Sequence, residues 1–182
     1  VLVIGGAGDA FCSGQDLGDS GNATNLDLER TLRDEYVPML KAIFDCKIPT
    51  ICAVHGAAAG AGANLALAAD VVIAADEAYF IQAFTRIGLI PDAGGTYWLP
   101  RQMGAAKAMG AALFGDKSTG RQAADWGMIY EAVPLKEFDT HVAARALHLA
   151  KGPTAAYQRV KTAMRGSFEN TLDQQLAMEA CL

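Results

Sequence analysis

Apolar positions in this 182-residue chain follow two rhythms. Residues 1–4, 50–54, 71–75 and 129–133 are short, nearly unbroken apolar runs. Such runs suit strands buried on both faces, and residues 78–80 read as a further short strand. Elsewhere the spacing is helical. Leu28, Leu32, Tyr36, Met39, Leu40 and Ile43 predict a helix over residues 26–45, with Pro38 as the place for a kink. Residues 105–114, 119–126, 136–151, 153–165 and 171–182 also read as helices. Ser118 or Thr119 suits the N-cap of the second of these, and Pro153 suits the start of the fourth. Strands that alternate with helices predict an α/β fold with a parallel sheet. Residues 11–17 and 87–96 read as ordered loops, and residues 18–25 as a polar surface loop.

One segment departs from both rhythms. Residues 54–69, VHGAAAGAGANLALAA, read as the end of a strand followed by a helix start built almost wholly of Gly and Ala. No side chain blocks such a start, so a ligand atom can approach the backbone closely. The first N–H groups of a helix lack intrahelical partners and carry positive character. They can therefore hold a carbonyl oxygen that gains charge during a reaction. The plainer alternative is a small-residue helix packed tightly in a core.

Composition narrows the classes. The chain is 52% hydrophobic and 19% charged, which is globular rather than disordered. A formal net charge of -5 argues against nucleic acid as the main partner. Cys12, Cys46, Cys52 and Cys181 form no CxxC pair, so the sequence points to free buried thiols in a reducing cytoplasm and to no metal site. No run is suited to span a membrane. The chain opens directly on the strand-like VLVIGG and closes on the helix-like LDQQLAMEACL, so both ends read as cut.

Four stretches, GDAFCSGQDL, HGAAAGAGANLALAADVVIAA, FTRIGLIPDAGGTYWLPRQMG and AADWGMIYEAVP, occur in an order and spacing that resemble the crotonase (enoyl-CoA hydratase/isomerase) superfamily. The resemblance covers nearly the whole chain. It implies a spiral of ββα units with a C-terminal helical subdomain, missing a segment at each end. Residues 1–100 would be part of the spiral core and residues 101–182 part of the helical region. It further implies an acyl-CoA substrate with no separate cofactor, coenzyme A being part of the substrate. Assembly would be a homotrimer or hexamer, in the cytoplasm, with no membrane or nucleic-acid partner. Within the superfamily, the stretch from Phe80 to Arg101 is most similar to the branch that isomerises a ring-1,2-epoxide of phenylacetyl-CoA.

By the same resemblance, the backbone N–H groups of Gln15 and Ala61 would hold the thioester oxygen. Ser13, Gln15, Asp16 and Leu17 would cradle the CoA. Hydratases of the superfamily use two glutamates, and the matching positions here are Asn64 and Phe84. Neither side chain can serve as a carboxylate base, which argues against hydration by that route. Asn64, Phe84, Leu89 and Ile90 are then expected to line an acyl pocket, with Asn64 bonded either to substrate or to a neighbouring loop. Asp92, beside apolar Leu89 and Ile90, is the candidate catalytic carboxylate, its pKa raised by burial. Its alternative role is to cap the helix that begins near Gly94.

One carboxylate suffices for a proton-shuttling isomerase acting on an aromatic or a fatty 3-enoyl chain. A nucleophilic Asp92 and an inactive acyl-CoA-binding subunit are the competing readings. His55 reads as structural, bonded to nearby backbone, and His141 and His148 as surface or interface residues. Trp126 and Gly127 match a packing motif of the superfamily. Arg86 and Arg101 are candidates either for CoA phosphates or for ion pairs.

Overall fold

A computed structural model describes residues 1–16 and 27–182. The apolar runs form the central parallel sheet. β1 (Leu2–Gly5), β2 (Thr50–Val54), β4 (Val71–Ala75) and β7 (Glu131–Val133) lie in the order β1-β2-β4-β7. Leu2 pairs with Thr50, Ile51 with Val71 and Ile73 with Glu131. Every residue of β2 is buried, and Ile51, Val54 and Ile73 are wholly removed from solvent. Each such side chain contributes about 1.5–3 kcal/mol of transfer free energy. Cys52 sits in the same layer, where burial pushes its thiol up to about 12. The four cysteines are free; only Cys52 is fully buried and Cys181 is exposed, so the expectation of buried thiols holds for Cys52 and fails for Cys181.

A second, shorter sheet holds β3 (Ala57–Ala59), β5 (Tyr79–Ile81) and β6 (Ser118–Thr119), with β3 and β5 parallel and β5 and β6 antiparallel. The chain thus winds as a spiral. β2 enters the long sheet, β3 the short one, and helix α3 (Ala61–Leu67) closes the turn. The next turn repeats this with β4, β5 and helix α4 (Gly95–Phe114). β3 corrects the expectation of an uninterrupted Gly/Ala helix start. Ala57–Ala59 pairs with Tyr79–Ile81, and the Ala57 carbonyl accepts the N–H groups of Phe11 and Cys12. Tertiary pairing here overrides alanine's preference for helix.

The first helical stretch is α1 (Leu28–Thr31), a π turn (Leu32–Tyr36) and α2 (Val37–Phe44). Pro38 is the second residue of α2, directly after the π turn in a continuous helical run. Its missing N–H therefore removes one rung of the ladder where the helix changes its hydrogen-bond pattern. α4 contains a break at Gly104, so the expected helix from residue 105 is its second half. The 100/101 division considered above falls inside α4. α5 (Gly120–Asp125) begins at a capping box formed by Thr119 and Gln122. α6 (Leu135–Lys151), α7 (Thr154–Gly166) and α8 (Leu172–Cys181) complete the helical region. No helix among the described residues is long and apolar enough to cross a membrane.

Candidate active site

The spiral brings the loop after β1 onto the start of α3. Gly14 makes this contact possible, with φ +95. A Cβ there would come within 2.9 Å of the Ala59 carbonyl and 3.4 Å of the Ala61 nitrogen. The peptide leading to Gln15 therefore lies directly against the first turn of α3. Among the described residues, no backbone acceptor meets the N–H of Gln15 or of Ala61.

These two residues border a cavity of about 300 Å3 with Ser13, Phe84, Leu89 and Asp92. Leu28, Leu32 and Tyr36 close it from the opposite side. The apolar stripe of the first helix thus covers a cavity rather than only a core. Asp92 is the one carboxylate among the described lining residues, and its Oδ1 is buried without a hydrogen-bond partner. Burial raises its pKa, against a smaller lowering by its own backbone N–H. The capping alternative does not hold. Gly94 is the N-cap of α4 with no side-chain cap, and only the backbone carbonyl of Asp92 accepts from Gly95, at 2.8 Å. Ala93, next along, holds φ +47. A left-handed alanine costs about 1–2 kcal/mol and marks strain beside the carboxylate.

Asn64 is wholly buried and does not line the cavity. Its Nδ2 donates to the Asp92 carbonyl at 2.7 Å, and its Oδ1 accepts from Gln82 Nε2 at 2.9 Å. A Cβ on Gly95 would lie 2.4 Å from the Asn64 amide nitrogen, so only glycine leaves room for this brace. Of the two expectations for Asn64, the bond to a neighbouring loop is the one observed. Ile90 does not join the pocket either: it is 75% exposed and absent from the cavity lining. Asp16 is exposed outside the cavity lining, and Leu17 lies outside the described residues.

Arg86 lines the cavity, where it donates to the Gly115 carbonyl at 2.7 Å. Arg101 does not reach it; its guanidinium stacks 3.6 Å over the Tyr97 ring beside a different cavity. His55 meets the Gly8 carbonyl at 2.8 Å, the structural role expected. His141 meets Glu131 at 2.8 Å, and His148 is exposed. No group of three or more metal-ligating side chains is gathered among the described residues.

Sequence reasoning missed Tyr36. Its hydroxyl donates to Gln15 Oε1 at 2.8 Å. Burial first, then the charges of Asp92, Cys12 and Glu35, push its pKa up. The signal was the helical spacing from Leu28 through Leu32, which sets Tyr36 on the face that covers the cavity.

A family model described as enoyl-CoA hydratase/isomerase matches residues 1–182. The chain belongs to the enoyl-CoA hydratase/isomerase family. It is 61% identical to a probable enoyl-CoA hydratase of Rhodobacter capsulatus over 182 residues, all of this chain and 70% of that protein. It is 45% identical over 181 residues to the 1,2-epoxyphenylacetyl-CoA isomerase of Escherichia coli, covering 98% of this chain and 69% of the relative. The crystal structure of a putative enoyl-CoA hydratase/isomerase from Mycobacterium abscessus superposes with a TM-score of 0.92. It is 38% identical, and the match covers 98% of this chain and 70% of that one. The spiral of paired strands and helices is this family's crotonase fold.

Proposed function

We propose that this enoyl-CoA hydratase/isomerase family member is an acyl-CoA isomerase with Asp92 as its single proton carrier. The reading rests on one observation: Asp92 is the one carboxylate among the described residues lining the cavity, and its Oδ1 is unpartnered. The thioester oxygen accepts the N–H groups of Gln15 and Ala61. Asp92 takes a proton from the carbon alpha or gamma to the thioester, and the enolate charge rests on those two donors. Asp92 then returns the proton at the other position, so the product has the atoms of the substrate. Preorganised donors of this kind contribute about 3 kcal/mol each to the transition state. A raised pKa brings Asp92 closer to neutrality and makes it a better proton shuttle.

The finer reading is an aromatic substrate, 1,2-epoxyphenylacetyl-CoA, isomerised to the oxepin. It is supported by the walls of Phe84, Leu32 and Leu89 and by the 45% identity to the Escherichia coli isomerase. Proton removal next to the thioester would accompany opening of the ring epoxide to the seven-membered ring. The Rhodobacter capsulatus relative is named a probable hydratase. With Asn64 and Phe84 at these positions, no second carboxylate to place a water lines this cavity among the described residues. Assembly as a homotrimer or hexamer belongs to the same proposal. Met109, Leu113 and Phe114, large apolar side chains of α4 left 61%, 60% and 74% exposed, support it. Sedimentation of the purified protein tests it.

The deciding experiment compares the wild type and Asp92→Asn on 3-hexenoyl-CoA, crotonyl-CoA and the enzymatically generated ring epoxide. Isomerisation of the epoxide or of hexenoyl-CoA that disappears in the variant supports the proposal. Preference for the epoxide selects the aromatic reading, and preference for hexenoyl-CoA a fatty-acid role. Hydration of crotonyl-CoA by both proteins would overturn it.

A further inference from the structure

The cavity that holds Asp92 has a neighbour. A second space of about 260 Å3 lies beside it at the start of α3, walled by Cys12, Met39 and Leu65, with Glu35 at its border. Gly14, Gln15, Tyr36 and Ala61 border both spaces. Gly14 and Ala61 are fixed by the loop–helix contact and carry little or no side chain. The partition is therefore made by Tyr36 and Gln15, whose side chains meet at 2.8 Å from hydroxyl to amide oxygen. Tyr36 stands on the π turn of the first helix. Such turns insert a residue into the helical ladder and recur at functional sites.

We infer that the Tyr36–Gln15 hydrogen bond divides one acyl site into two halves, and that Tyr36 sets the length of acyl chain this enzyme accepts. The inference rests on the proposed seat of the thioester at Gln15 and Ala61. Those residues border both spaces, so an acyl chain that leaves the thioester can run along either. On one side it meets Asp92, where the proton moves. On the other it meets the apolar Met39 and Leu65, but only past the Tyr36 ring. With the bond formed, compact acyl groups fit and long ones do not. With the ring removed, the spaces join, and the end of a long chain lies against Met39 and Leu65.

The test measures two quantities for the wild type, Tyr36→Phe and Tyr36→Ala. One is kcat/KM for 3-hexenoyl-CoA and 3-dodecenoyl-CoA. The other is the affinity for saturated hexanoyl-CoA and dodecanoyl-CoA, which requires no chemistry. Tyr36→Ala is expected to raise the long-to-short ratio about tenfold or more in both. Tyr36→Phe, which keeps the ring and loses the donor, is expected to raise it about threefold. A folded Tyr36→Ala protein with the wild-type ratio overturns the inference. Should that variant fail to fold, an unchanged ratio in Tyr36→Phe overturns it. If the wild type turns over neither enoyl-CoA, the fatty-acyl reading of the isomerase fails, and the affinities alone decide the partition.

Discussion

Asp70 and Asp92 are both partly buried carboxylates at the edge of a cavity, and their surroundings are opposite. Asp70 borders the larger space, about 450 Å3, between the sheet and the helical region. Lys161 and Arg165 of α7 each reach one of its oxygens at 2.7 Å, and Thr50 donates to it from both backbone and hydroxyl. The same two cations also hold the carbonyls of Phe44 and Cys46 at the end of the first helix. Asp92 borders the smaller space with no cation on it and one oxygen unpartnered among the described residues. Cavity size is thus a poor guide to chemistry. A carboxylate neutralised by two cations ties elements together, whereas a desolvated, unpaired one is poised to take a proton.

The contrast breaks most sharply under substitution. Asp92→Asn should lower isomerase turnover about 10²–10⁴-fold, read by product analysis, while its circular dichroism stays that of the wild type. Asp70→Ala should instead leave Lys161 and Arg165 uncompensated and cost about 3 kcal/mol in urea unfolding. If Asp70→Ala unfolds like the wild type, the Asp70–Lys161–Arg165 cluster does not tie α7 to the sheet. Asn64→Ala sharpens the comparison from behind the site. It leaves the Gln82 amide without its acceptor and the Asp92 carbonyl with the Gly95 N–H alone, so about 2 kcal/mol of stability should be lost. A loosened Asp92 should also reduce kcat about tenfold or more with a smaller change in KM.

The smallest effect is the dependence of stability on pH. A folded-state pKa above the unfolded value means that the native protein holds the Asp92 proton more tightly. Stability is then lost as pH rises through the window between the ordinary carboxylate range and the raised value. Asp92→Asn has no charge to bury, so it should be the more stable protein at neutral pH. Its advantage should vanish once the pH falls below the ordinary carboxylate range. Thermal melts of both proteins across that range check this. An advantage that persists into acid would mean that the Asp92 environment does not disfavour its charge.

Much of this was legible in the chain alone. β2 and β4 announced themselves as unbroken apolar runs, because a strand covered on both faces has no polar position to show. β1 reads the same way but lies at the end of the sheet order with Leu2 and Val3 exposed, which corrects its expected burial. Thr119 capped its helix as its chemistry requires. Gln15, Ala61, Phe84, Leu89 and Asp92 were named through motifs that resemble those of the superfamily, and the fold does gather them around one cavity. Local pattern could not show where the first helix would lie, so Tyr36 read as one more position on an apolar stripe. Nor could it tell that Asn64 would turn its amide to the Asp92 backbone, or that Ile90 would face out. Those outcomes depend on contacts between segments 21 and 28 residues apart in the chain: Tyr36 with Gln15, Asn64 with Asp92. The sequence by itself determined which segments become strands and helices and which residues carry usable chemistry, because propensity and titration are properties of short stretches and single side chains. Which carboxylate was neutralised and which left bare was decided only in three dimensions, because pairing and desolvation depend on what distant segments bring alongside.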